Sequence, residues 1–179
     1  MVRANNFVLA LTGVALSFFL ATESMAQNAK AFQVGKAVEY ETGDSWKEQG
    51  KRYRLYGVQS CLRGTPTVDS KGKSTDCGNV SLARLAAIFS SAQVSCQPIA
   101  TARDNATFVV CGADMNGTTI DIGTALISTG YAFAATDTKG TAINTNYLIA
   151  ELDAKMKQEG LWATKFDHPV QFLLKQVKR

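Results

Sequence analysis

The chain carries a single histidine, His168, in 179 residues. Its four cysteines contain no C-x-x-C spacing. Together these facts argue against a zinc centre, which draws on clustered Cys and His ligands. Nor does any cysteine have a histidine close by in sequence to act as its base. His168 itself, placed before Pro169, reads as a loop residue. Beyond Ala21 no segment is apolar and long enough to cross a bilayer. The one uncharged apolar run, Phe7 to Ala21, falls short of the roughly 17–25 residues of a spanning helix. Arg3 precedes it and the small-x-small site Ser24-Met25-Ala26 follows, so residues 1–26 read as a signal peptide cleaved before Gln27. There are no internal repeats. Finally, no Asp or Glu occurs between Glu48 and Asp69, an absence whose meaning depends on what surrounds it.

From Gln27 the length fits one domain, residues 27–179. The net charge of +4 is mildly basic. It permits an anionic partner without requiring one. All four cysteines follow the signal segment, and an even number behind a signal peptide reads as two disulfides in an oxidising compartment, periplasmic or secreted. Three pairings are open. Cys96 and Cys111 lie in β-prone runs flanking a turn at Asp104-Asn105, which favours Cys96–Cys111 across a hairpin. Cys61–Cys77 then closes a polar, glycine-rich loop. Each bridge over a loop of this size stabilises by about 3 kcal/mol.

Residues 35–58 alternate short β-prone runs with turns at Thr42-Gly43-Asp44 and Gln49-Gly50. Lys51, Tyr53 and Leu55 alternate with Arg52, Arg54 and Tyr56, so Arg52 and Arg54 share one strand face. Residues 64–77 read as a loop. A helix follows with Asn79 as its N-cap and an apolar stripe at Leu82, Leu85, Ala86 and Phe89. After the hairpin comes a strand near 118–120. A short helix, 122–129, is capped by Asp121 and closed by Gly130. A brief extended run covers 131–134. A last long helix spans 141–159 with a stripe at Leu148, Leu152 and Met156. The basic tail, residues 175–179, reads as frayed. Strands gathered ahead of helices indicate an α+β domain.

Gly43-Asp44-Ser45 and Arg54-Leu55-Tyr56-Gly57-Val58 resemble the D-G-D-[TS] turn and R-L-x-G-[IV] strand that open the staphylococcal-nuclease-like (thermonuclease) family. Later pieces keep the family's order and spacing. They are Cys77-Gly78 before a helix, Pro98 to Cys111, Asp121-Ile122-Gly123 through Gly130-Tyr131-Ala132, and Glu151, Ala154 and Glu159-Gly160-Leu161-Trp162. The resemblance covers residues 34 to 163. It implies an OB-like five-stranded β-barrel with three α-helices, and the paired cysteines resemble those of periplasmic bacterial members.

The resemblance also implies a site. An active member cleaves phosphodiesters with one calcium ion, a carboxylate base and two arginines. Here Asp44 matches a metal ligand and Arg54 the first catalytic arginine. Thr42 stands at the first turn carboxylate, Gln59 at the other metal carboxylate and Leu62 at the general base. Ala106 stands at the second arginine, with Arg103 three positions away. Because no carboxylate occurs between Glu48 and Asp69, a gap does not restore the site. Calcium prefers several oxygen ligands, usually with more than one carboxylate, and leucine takes no proton. The expectation is a catalytically degenerate nuclease-fold protein that acts as a binding module and needs no cofactor, calcium being implied only if it is active. Lys51, Arg52, Arg54 and Tyr56 are the candidate contacts for a partner. That partner is an envelope protein, a peptide or an anionic oligomer, nucleic acid being less favoured. The alternatives are an altered metal-dependent phosphodiesterase and a structural component of an envelope assembly.

Overall fold

The computed structural model describes residues 30–177. The signal segment expected over residues 1–26 lies outside them, as do Lys178 and Arg179. No described helix is long and apolar enough to cross a membrane. In chain order the strands begin with β1 (Phe32–Gln33), β2 (Glu39–Thr42), β3 (Ser45–Glu48), β4 (Lys51–Leu55) and β5 (Val58–Ser60). Next come β6 (Pro66–Val68), β7 (Ser74–Asp76) and helix α1 (Cys77–Ser91). The hairpin β8 (Gln93–Thr101) and β9 (Thr107–Met115) leads to β10 (Thr118–Asp121), α2 (Ile122–Ser128) and β11 (Ala132–Ala134). The chain finishes with α3 (Thr145–Met156), a 3-10 turn (Gly160–Ala163), β12 (Lys165–Phe166) and α4 (Pro169–Val177).

This is a mixed α+β arrangement. Its main sheet is ordered β1-β8-β9-β4-β3-β2, with β10 paired to β9. All its pairs are antiparallel except β4 with β9, where Tyr53, Arg54 and Leu55 face Thr107, Phe108 and Val109 in parallel. The two outer strands, β1 and β2, are consecutive in the chain and separated only by residues 34–38. The two outer strands are therefore tethered by a short covalent link. No described pairing joins β1 to β2, so hydrogen bonds do not close the sheet into a barrel.

Local chemistry explains most boundaries. Gln49 and Gly50 both take positive φ, 50° and 76°, the left-handed pair that a two-residue hairpin turn requires between β3 and β4. Helix α1 starts two residues ahead of the expected Asn79 cap. Asp76 is the N-cap, its side chain accepting from the Asn79 N–H at 2.7 Å. Asp121 caps α2 as expected, accepting from the Thr124 N–H. The last long helix is shorter than its pattern suggested, because Asn144 caps it and accepts from the Asn146 and Tyr147 N–H groups. The expected loop 64–77 contains β6 and β7, which form a small sheet with β12. The tail expected to fray is helical through Val177.

The core lies between the main sheet and the helices. Trp46, Leu55, Leu85, Val109, Ile122 and Leu126 are all essentially buried. Both expected disulfides form, Cys61–Cys77 and Cys96–Cys111. Cys96 faces Cys111 directly across the β8–β9 hairpin. Cys61–Cys77 anchors a second cluster with Phe133, Leu161 and Val170. The two bridges accord with an oxidising, non-cytoplasmic compartment.

The helix stripe expected at Leu148, Leu152 and Met156 points the other way. These residues, with Ile149, are exposed, and Tyr147 and Ala154 are the buried ones. Tyr147 sits against α2, where its hydroxyl donates to Asp121 at 2.9 Å.

Candidate functional site

The sharp turn between β2 and β3 rests on α1. A Cβ at Gly43 would lie 2.5 Å from the Ser81 Cβ and 2.7 Å from its backbone carbon, so only glycine fits. This contact places Asp44 inside the protein, 2% exposed. The Asp44 carboxylate accepts from Ser60 Oγ at 2.8 Å, from Arg54 Nε at 3.2 Å and from the Thr42 hydroxyl. The Asp44 carbonyl also accepts the Leu55 N–H at 2.9 Å. Gln59 is buried as well. Its Oε1 accepts from an Arg54 terminal nitrogen at 3.0 Å and its Nε2 donates to the Ser60 carbonyl at 2.9 Å. Arg54 thus bridges β4, the β2–β3 turn and β5, and its side chain remains 40% exposed.

The donor set decides what this cluster can hold. A calcium site needs several oxygens facing an open position, usually with more than one carboxylate. Here Asp44 is the single acid, three donors already occupy its oxygens, and a guanidinium lies beside it. Among the described residues no group of three or more His, Cys, Asp or Glu side chains could hold a metal. The residues do not fit a calcium ion. The other positions that the resemblance singles out carry no group able to move a proton or hold a phosphate together with Asp44. Ala106 is buried at the end of the β8–β9 turn, Leu62 lies where the chain packs on the start of α1, and Arg103 is exposed at the hairpin tip.

The structure separates the four expected contact residues. Arg54 and Arg52 do share one face of β4, but Arg52 is engaged. Its Nε lies 2.6 Å from Glu41 and its terminal nitrogen 3.5 Å from Asp104. The hydrogen bond and charge of Glu41, reinforced by Asp104, push the Arg52 pKa up. Lys47 joins the same array, 3.0 Å from Glu41. Burial of Glu41 favours its neutral form, yet the hydrogen bonds and charges of Arg52 and Lys47 outweigh this and lower its pKa. Tyr56 lies beside Arg54, half-exposed, with its ring edge-on to Phe108 at 5.9 Å. Lys51 is on the opposite face, in a surface cavity of about 570 Å³ with Lys30, Phe32 and Tyr53. Trp46, the neighbour of Tyr53 across the β3–β4 pair, is completely buried between Tyr53 and Phe89.

Sequence reading missed a second polar arrangement. Glu151 of α3 accepts the Ala134 N–H at 2.6 Å and meets His168 Nε2 at 3.2 Å. His168 lies in the link between β12 and α4, as expected of a loop residue, but its side chain is largely buried. Its ring packs on Phe133 at 4.6 Å and on Trp162 at 5.4 Å, with Phe166 nearby. The Glu151-x-x-Ala154 spacing was visible, and it joins α3 to β11 through the carboxylate and buries Ala154. The distant His168 partner had no local signal.

No family model matches the chain, and no curated protein matches it at a significant level.

Proposed function

We propose that the protein is a secreted or periplasmic member of the staphylococcal-nuclease-like group, with an OB-like barrel, that does not cleave phosphodiesters and serves as a binding module. The observation carrying this reading is the Asp44–Arg54–Gln59 bridge. In a phosphodiesterase of this type a free arginine fork would meet the developing charge on phosphorus. Here part of that fork is committed to a buried carboxylate and a neutral amide, with no base at Leu62. The former catalytic centre acts as a cross-link between β4, the β2–β3 turn and β5. The sheet order supports the barrel part of the reading, since its outer strands are consecutive and joined by only five residues, 34–38. The outward side of Arg54, with Tyr56 and Phe108 beside it, is the surface left for an anionic oligomer or a peptide.

A second reading, a component of an envelope assembly, is favoured by the apolar face that α3 turns outward at Leu148, Ile149, Leu152 and Met156.

The test is a DNA and RNA cleavage assay on the purified protein, with calcium, magnesium and manganese titrated. Arg54→Ala is prepared in parallel to expose contaminating nuclease. The expected result is no cleavage above that variant at any metal concentration. Metal-dependent cleavage that disappears in Arg54→Ala would overturn the non-catalytic reading. Steep weakening of binding with salt would favour a nucleic acid over a peptide or protein partner, and salt-insensitive capture of an envelope protein would favour the assembly reading.

A further inference from the structure

A groove of about 350 Å³ runs between α1, β9–β10 and α2. This volume lies within the roughly 300–1,000 Å³ range of small-molecule sites. Helix periodicity sets Arg84, Ala87, Ile88 and Ser91 along one face of α1 as its first wall. Ala113, Met115 and Ile120 supply the second wall, and Ile122 and Ala125 the floor. Apart from Arg84 and Ser91 the lining is aliphatic. Its rim is open to solvent, with Met115 45% and Ile120 38% exposed.

Arg84 is the anomaly. Its Nε is buried and has no hydrogen-bond partner among the described residues. Among the described residues it makes no ion pair. Its guanidinium carbon lies over the Tyr131 ring, 5.4 Å from the centroid. A cation–π contact offsets part of the cost of burying that nitrogen. It does not satisfy a buried N–H, and buried polar groups without partners are rare in folded proteins. An unpaired guanidinium beside an aliphatic groove is complementary to a ligand with an anionic head and an apolar tail. The planar fork of arginine fits the two oxygens of a carboxylate.

We propose that this groove binds a small aliphatic carboxylate, whose head meets Arg84 and whose tail lies between Ile88, Met115 and Ile120. The proposal is independent of the nuclease-like reading, since it uses none of the residues around Asp44.

Calorimetric titration of the purified protein tests it with three probes. Decanoate has both head and tail, decanol keeps the tail alone, and acetate keeps the head alone. Decanoate is expected to bind saturably at one site below its micelle threshold, decanol more weakly, and acetate not measurably. Arg84→Gln is expected to weaken decanoate at least about tenfold, the lower end for a charge-assisted hydrogen bond, and to leave decanol unchanged. Ala125→Phe fills the groove floor and is expected to abolish both, with cooperative melting retained as a check on folding. Absence of saturable decanoate binding by the wild-type protein, or an affinity unaltered by Arg84→Gln, overturns the proposal.

Discussion

Arg54 faces two neighbours of different character, a buried carboxylate and a neutral amide, and its removal affects both. Arg54→Ala leaves Asp44 with only the Ser60 and Thr42 hydroxyls and strips Gln59 Oε1 of its donor. A loss of about 1–3 kcal/mol is expected, the range for unsatisfied buried polar groups, read as a lower urea midpoint. Glu41 gives a pH signature. Its pKa is lower folded than unfolded, so its contribution is complete above the ordinary carboxylate range, about 4.3. That contribution fades as pH falls through the lowered value. Glu41→Gln is therefore expected to make the acid limb of the stability–pH curve shallower, and an unchanged limb would refute the assignment. The identities of Asp44, Arg54 and Gln59 were plain in the sequence. Their hydrogen bonding was not, because the turn at Gly43 brings them together only when it packs on Ser81, far along the chain.

Periodicity is a reliable guide to where a helix lies and a weaker one to which side of it is covered. In α3 the leucine-rich stripe was legible, but the neighbours that decide burial, α2 and β11, accept the side bearing Tyr147 and Ala154. Leu152→Gln is accordingly expected to change stability by less than about 0.5 kcal/mol. Ala154→Leu, overfilling a fully buried position, is expected to cost about 1–3 kcal/mol; equal effects in thermal melts would contradict this orientation. The α1 cap shows a related limit. Asp76 and Asn79 are both good caps by type, and the choice falls on Asp76 because it also accepts the Gly64 N–H at 2.6 Å, a contact invisible to local pattern. Asp76→Ala should cost about 0.5–2 kcal/mol. Strands β6 and β7 went unseen for the same reason: residues 64–77 are polar and glycine-rich, and their pairing depends partly on β12, whose partner positions lie about a hundred residues later.

Across the whole molecule, the ends of α2 and α3 are clasped by two glycines. Gly130 and Gly160 have φ of 74° and 53°, and a Cβ on either would overlap the backbone of the other's segment. The Leu161 N–H donates to the Gly130 carbonyl at 3.0 Å. Gly130→Ala therefore combines left-handed strain, about 1–3 kcal/mol, with overpacking of similar size. Gly117→Ala, with nothing within 4 Å, should show the strain alone in the same denaturation series. The α+β class, the run from α1 through the β8–β9 hairpin to α2 and α3, and both bridges followed from sequence, because turns, caps and cysteine spacing are local signals. The parallel pairing of β4 with β9 had no local signal, since the partner positions lie 54 residues apart. The bridges have one more consequence. Each joins cysteines that are neighbours in cysteine order, 16 and 15 residues apart. A chain threading amino-terminus first into an oxidising space presents Cys61 and Cys77 together before Cys96 emerges. Correct pairing is then the pairing of arrival, and maturation calls for an oxidase but not for an isomerase to undo errors.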